Sequence, residues 1–253
     1  MEAAEACARA AGAVALRHWR ARLEVETKRD GSPVTAADRE AERAARVWLE
    51  DRFPGDGVVG EEFGESRPDA ARRWFVDPID GTRSYVRGVP LWGTMIAVAD
   101  RSRVLASSIV YPALGETLAA APGEGCHWNG VRCRVSDVAE LARATVLATD
   151  ERFTCDARKR RGWERLAPRA ATARSWGDCY GYLLVATGRA ELMTDGVLQP
   201  WDAVPLLPIV EEAGGVFTDW SGARTGFGVG AIATNAALAD ETRALLGVPM
   251  EAP

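Results

Sequence analysis

No block of lysines and arginines stands out in the 253 residues, and the net charge is −5, so a nucleic-acid partner has little electrostatic support. No apolar run approaches the roughly 20 residues that cross a bilayer, and the opening Met1-Glu2-Ala3-Ala4-Glu5 is acidic where a secretory leader is basic. The expectation is a cytoplasmic protein without membrane contact. Histidine is scarce, with two residues, and the cysteines (Cys7, Cys126, Cys133, Cys155, Cys179) contain no Cys-x-x-Cys pair, which argues against zinc. No repeat or low-complexity linker interrupts the chain. A two-residue turn at Asn129-Gly130 would set Cys126 opposite Cys133 across a hairpin, either bridged or as two buried thiols in a reducing compartment.

What the chain does have is ample apolar content, 47%, for one sizeable core or two tightly joined sub-domains. It is organised around Trp74-Phe75-Val76-Asp77-Pro78-Ile79-Asp80-Gly81-Thr82-Arg83. A hydrophobic strand runs into Asp77 and Asp80, which the rigid Pro78 lets project toward one point. Like charges that close repel unless a cation lies between them, and hard carboxylate oxygens select Mg²⁺ or Mn²⁺. Beyond Asp80, the backbone N–H groups of Gly81, Thr82 and Arg83 would open a helix and face outward, a site for a phosphate oxyanion. Asp80 as a plain helix N-cap is the alternative, but it leaves Asp77 unexplained.

Periodicity predicts helices over about 3–24, over a second stretch with Ala41, Ala44, Ala45, Trp48 and Leu49 inward, and near 203–213 and 237–246. A charged helix with its loop lies within 152–171, and an apolar helix begins at Tyr182 and stops at Gly188. Pro208 should kink the 203–213 helix. Short strands are predicted at 24–27, 58–59, 91–99, 104–111, 116–121, 125–128, 131–135, 145–149, 190–194, 216–219 and 231–234, and 65–71 reads as a polar loop. Alternating strands and helices of these lengths argue a layered α/β sandwich. The sub-domain boundary is expected near 136–144, giving about 1–140 and 141–253 within one catalytic domain.

Asp77-Pro78-Ile79-Asp80-Gly81-Thr82 resembles the signature of the inositol-monophosphatase family of Mg²⁺-dependent phosphatases. Gly60-Glu61-Glu62 upstream, and Trp201-Asp202 with Glu212-Ala213-Gly214-Gly215 downstream, follow in the family's order over most of the chain. The resemblance implies an αβαβα sandwich of the inositol-monophosphatase/fructose-bisphosphatase type, hydrolysis of phosphate monoesters, and homodimers. It implies that Glu61, Asp77, Asp80, Asp202 and the Ile79 carbonyl hold two Mg²⁺ ions, with a weaker third shared by Glu61. It also pairs Asp38 with Thr82 to activate water, although Thr35-Ala36-Ala37-Asp38 equally fits a capping box. Glu61 would assist, and the Gly81 and Thr82 amides would hold the phosphate. An Asp202 that only caps a helix is the bland alternative.

Within the family the chain most resembles the histidinol-phosphate phosphatase branch, through Asp80-Gly81-Thr82-Arg83-Ser84, Pro90-Leu91-Trp92-Gly93-Thr94 and Trp176-Gly177-Asp178-Cys179-Tyr180. A substrate bearing an ammonium and an imidazole suits a pocket with Asp178 and Asp195 beside the metals, where a polyol would ask for neutral partners. The substrate-binding set is then Gly81, Thr82, Arg83, Asp178, Asp195 and Asp202, with Asp178 as a mere helix cap the alternative. An inositol-1-phosphate phosphatase of broad polyol specificity is the other reading of the same class. A non-catalytic regulator that kept the fold should have lost a ligand, whereas Glu61, Asp77, Asp80, Thr82 and Asp202 are all present.

Overall fold

In α1 (Glu2–His18) the small residues Ala4, Cys7, Ala8, Ala11 and Ala15 recur at helical spacing and are all buried, so this helix lies close against its neighbours. The computed structural model describes residues 1–249 apart from Leu23, Arg29, Asp30, Ser102 and Cys155. The chain continues through β1 (Glu26–Thr27), β2 (Pro33–Val34), α2 (Ala36–Arg52), β3 (Gly57–Gly60), β4 (Gly64–Ser66), β5 (Arg72–Asp80) and α3 (Thr82–Tyr85). Next come β6 (Gly93–Asp100), β7 (Arg103–Tyr111), β8 (Glu116–Ala121), β9 (Gly125–Trp128), β10 (Val131–Arg132), β11 (Thr145–Ala148), α4 (Ala157–Leu166) and β12 (Thr172–Arg174). The last elements are α5 (Asp178–Ala186), β13 (Leu192–Asp195), α6 (Pro200–Glu212), β14 (Val216–Thr218), β15 (Ala231–Thr234) and α7 (Ala239–Leu246).

Two sheets separate three helical layers. The larger has the order β10-β9-β8-β7-β6-β5-β3-β4 and the smaller β12-β11-β13-β15-β14. Strands of the larger sheet are apolar on both faces: Met95, Ile109 and Leu118 pack toward α5 and α6, while Ile96, Val110 and Ala121 pack toward α1 and α2. Helices α5 and α6 fill the space between the sheets, sharing a core of Tyr182, Leu183, Leu206, Ile209 and Phe217. Helices α4 and α7 cover the outer face of the smaller sheet through Trp163, Leu166 and Leu246 against Val146, Leu192 and Ile232. The order is αβαβα, as the motifs implied. Strands of the larger sheet all precede residue 133, and those of the smaller all follow residue 144.

Several element ends differ from the sequence expectation, each for a local reason. Helix α1 stops at His18, because Trp19 leaves in extended backbone to pack 6.2 Å from Trp92 and Arg20 takes φ +64°. Leu23, expected on this helix, lies outside the described residues. The polar run after Gly64 is partly strand: β4 pairs antiparallel with β3, an edge position where polar side chains face water and leave no apolar signature. Helix α5 begins at Asp178, ahead of Tyr182. Helix α6 begins with Pro200 at its first position and continues through Pro205 and Pro208 to Glu212. The Asn129-Gly130 turn sets β9 against β10 as expected, and the Cys133 amide donates to the Cys126 carbonyl at 2.9 Å with both thiols free.

Candidate active site

Asp77 and Asp80 are three residues apart on one strand, a spacing that would aim them at opposite faces of a regular ladder. The β5–β6 register shifts between them, a bulge that falls on Pro78 and Ile79. The bulge turns both carboxylates to one side. It is pinned by the Ile79 amide donating to Asp77 Oδ1 at 2.9 Å and by Thr94 Oγ1 donating to the Pro78 carbonyl at 2.8 Å. Asp202 reaches the same point from the first turn of α6, and one oxygen of each of the three carboxylates lies within 4.8 Å of the others. All three line, or border, a cleft of about 520 Å³ together with Lys28, Glu61, Ile79, Gly81, Thr82 and Trp201.

Burial is the first cause that pushes these carboxyls up. Asp80 rises to about 7 by desolvation and by the charge of Asp202, against the Cys179 hydrogen bonds that lower it. Asp202 rises to about 7 by desolvation and by Glu61, against the Gln199 amide. Asp77 is raised well above the usual carboxylate range by desolvation, then by Glu61, Asp80 and Asp202. Folded values above unfolded ones mean that the folded chain holds more protons between about pH 4 and 7. The stability present below about pH 4 is therefore lost as pH rises to about 7, provided divalent ions are chelated. Denaturant unfolding in chelator at pH 5 and pH 8 checks this, with the lower stability expected at pH 8.

The donor set fits a hard divalent cation. It is all oxygen, crowded, and electrostatically short of positive charge. Glu61 stands at the rim, where its carboxylate pairs with Lys28 Nζ at 2.7 Å, and Lys28 also binds Glu62 at 2.6 Å. The sequence around Lys28 carries no signal that the β1–β2 hairpin would bring its ammonium onto two carboxylates.

Asp38 and Asp202 show how one carboxylate serves two ends. Asp38 Oδ2 accepts from the Thr35 amide (2.8 Å) and hydroxyl (2.7 Å) in a complete capping box, while Oδ1 lies 3.4 Å from Thr82 Oγ1. Asp202 is the third residue of a box whose N-cap is Gln199, accepting the Gln199 amide at 2.8 Å, and still faces Asp77 and Asp80. The Thr82 hydroxyl also has the Ile79 carbonyl at 3.0 Å. Gly81, at φ +86°, opens α3. The Arg83 side chain is exposed, turns to the Gly31 carbonyl at 3.3 Å and lines neither this cleft nor the cavity beside it.

That second cavity, about 170 Å³, shares Asp80 and Asp202 with the cleft and adds Thr149, Asp178, Tyr182 and Asp195. Among the described residues no basic side chain lines it. The helix-cap alternative for Asp178 does not hold: Gly177 occupies the cap, pressed so close to Thr149 that a Cβ would lie 2.4 Å from its Cα, and Asp178 is the first helical residue, at φ +51°. A non-glycine residue in the left-handed region is strained and worth a functional question. Here it hangs the carboxylate over Gly81, where a Cβ would stand 3.2 Å from Asp178 Oδ2. Burial, then Asp80 and Asp195, push the Asp178 carboxyl well up. Asp195 accepts from Tyr182 Oη at 2.9 Å and rises to about 6 by burial, its hydrogen bonds from Thr149 and Tyr182 opposing the rise. The Cys179 amide, from the first turn of α5, donates to Asp80, a contact no sequence signal pointed to.

Residues 1–247 match the model of the inositol monophosphatase family. The chain is 43% identical over 226 residues to a histidinol-phosphatase of Chlorobaculum parvum, covering 89% of this chain and 87% of that one. It is 38% identical to a histidinol-phosphatase of Mycobacterium tuberculosis, over 87% of this chain and 86% of that one. Among solved structures, an inositol monophosphatase from Zymomonas mobilis superposes with a TM-score of 0.85 at 31% identity, over 98% of this chain and 97% of that one.

Proposed function

Because the chain belongs to the inositol monophosphatase family and is a phosphoric monoester hydrolase, we propose that its substrate is L-histidinol phosphate, cleaved to L-histidinol and phosphate for histidine biosynthesis. The observation that carries this reading is the cavity beside the carboxylate cluster, walled by Asp178 and Asp195 with no basic side chain in its lining among the described residues. Such a wall suits the ammonium and imidazole of a cationic ester. The cation restores the ionised form that burial and neighbouring carboxylates disfavour in Asp178. The names of the two relatives at 43% and 38% identity agree with it.

Family members depend on metal, and Asp77, Asp80 and Asp202 with Glu61 and the Ile79 carbonyl are the groups that would hold it, as two Mg²⁺ ions with a third shared by Glu61, or Mn²⁺ in their place. Bound there, a divalent ion lowers the pKa of water and offsets charge on the phosphate. The chain does the rest. The amides of Gly81 and Thr82 hold the phosphate oxygens, with Arg83 next in the same first turn. Thr82 accepts a hydrogen bond from the attacking water and so orients it, while its own hydroxyl hydrogen is turned to the Asp38 carboxylate at 3.4 Å, the group that takes up the proton, and Glu61 assists at the rim. Asp178, Asp195 and the edge of Asp202 receive the cationic end of the substrate. Among the described residues no helix is long and apolar enough to cross a membrane. A cytoplasmic homodimer is part of the same proposal.

Phosphate release with Mg²⁺, measured on L-histidinol phosphate and inositol-1-phosphate side by side, tests the substrate. Preference for inositol-1-phosphate would keep the cleft and overturn the reading of the cavity. A desolvated charge-assisted contact contributes about 1.5–3 kcal/mol, so Asp178→Asn is expected to raise KM for histidinol phosphate about tenfold or more. Inositol-1-phosphate should change little. An unaltered KM for the cationic ester in a folded Asp178→Asn protein removes Asp178 from the pocket.

A further inference from the structure

Helix α2 meets the site at two points one turn apart. Asp38, at its start, lies beside Thr82. Glu42, at i+4 on the same face, is completely buried between Ala41 and Ala45, where an apolar side chain would be the cheaper core residue. Its carboxylate is spent on the turn that carries Glu61: Oε2 accepts the Glu62 amide at 2.6 Å and Oε1 the Phe63 amide at 3.3 Å. Arg46 donates to Oε1 at 2.7 Å and reaches on to the Gly64 carbonyl at 2.5 Å, closing the turn from its far side. Gly60 completes the fit. A Cβ there would stand 2.0 Å from Glu42 Oε1, so the residue before Glu61 is glycine for lack of room beside this carboxylate.

We propose that Glu42 is a positioning residue that fixes the Gly60-Glu61-Glu62 turn, and so the place of the Glu61 carboxylate, relative to Asp38 on the same helix and to the Thr82 that Asp38 faces. Helix α2 then spaces the two arms of the site as one rigid bar. The inference rests on the reading of Glu61 as a metal ligand. An outer partner that orients a ligand typically contributes about 10–100-fold to metal affinity, and that is the loss expected of Glu42→Gln.

Calorimetric titration of Mg²⁺ alone into metal-free wild type, Glu61→Gln, Glu42→Gln and Gly60→Ala is the test. Both Glu42→Gln and Gly60→Ala, which crowds the same carboxylate from outside, should weaken Mg²⁺ binding. Activity lost in either should return as Mg²⁺ is raised at a temperature well below melting, which a merely structural defect would not permit. If Glu61→Gln weakens Mg²⁺ while folded Glu42→Gln and Gly60→Ala bind it as wild type does, the positioning role is overturned and the ligand reading stands. If Glu61→Gln itself binds Mg²⁺ normally, the ligand reading falls and this inference with it.

Discussion

Asp80→Asn is expected to lower Mg²⁺-dependent phosphate release by about 10³-fold or more, since the lost charge removes several kcal/mol of stabilisation and each 1.4 kcal/mol is tenfold. The same change should raise the melting temperature of the chelated protein. Asp80 is crowded by Asp202 and half-buried, so its charge is a burden to the fold in the absence of a counter-ion. An asparagine keeps an oxygen for the Cys179 amide and drops the charge. With its carboxyl pushed up to about 7, Asp80 is ionised at pH 8 and largely protonated at pH 5. The gain is therefore full at pH 8, smaller at pH 5, where the unfolded chain is already ionised, and absent only below about pH 4. A relief on the order of 1–2 kcal/mol would appear as a few degrees in a chain of this size, about 2–4 °C per kcal/mol. Melting curves in chelator at both pH values, beside activity assays, separate the outcomes. A variant with full activity, or one whose chelated form melts like wild type at pH 8, would contradict the placing of Asp80 in a cation site.

Opposed effects on activity and stability explain why this region was readable from the chain. A hydrophobic strand that ends in two carboxylates breaks the local rule that buried positions are apolar, and such breaks concentrate where function requires them. Asp77, which caps nothing, stood out on that ground alone and carried Asp80 with it past its own cap alternative. Asp38 and Asp202 did not, because each also satisfied a capping rule, and sequence offered cap or site as alternatives. The structure shows one oxygen of Asp38 in the cap and the other beside Thr82, and Asp202 capping while it faces the cluster. The alternatives were never exclusive, since a carboxylate has two oxygens.

Other parts were illegible for a different reason: they depend on contacts distant in sequence. Lys28 reaches Glu61 across 33 residues, and Glu42 holds the Glu62 amide across 20. In sequence each is one more charged residue among many. For Asp178 a helix cap stayed open beside the substrate role because aspartate is common there, and nothing in Trp176-Gly177-Asp178 announces a positive φ. The ends of elements were obscured by partners as well. Trp92 draws Trp19 out of α1, and pairing with β3 makes a strand of polar residues in β4. The helix α6 keeps both internal prolines because its apolar residues are fixed between two sheets, a tertiary gain that local propensity does not count.

Thr82→Val should cut kcat by about 10²–10⁴-fold, the range a positioned proton-transfer group supplies, with KM for the ester nearly unchanged. Valine matches threonine in shape, so the loss isolates the hydroxyl. That hydroxyl has one hydrogen and two acceptors, the Ile79 carbonyl at 3.0 Å and Asp38 Oδ1 at 3.4 Å. When the Ile79 carbonyl is engaged elsewhere, Asp38 is the acceptor that remains, and the threonine lone pairs face the cleft to receive a hydrogen from water. Burial raises the Asp38 carboxyl against the pull of its Thr35 hydrogen bonds, so the pair weakens as an acceptor when pH falls. Asp38→Asn should therefore reproduce most of the Thr82→Val loss, and the double variant should be little worse than either single one. Two groups acting as one unit are non-additive in this way. Losses that simply multiply would mean that Asp38 and Thr82 contribute independently and that no shared unit joins them.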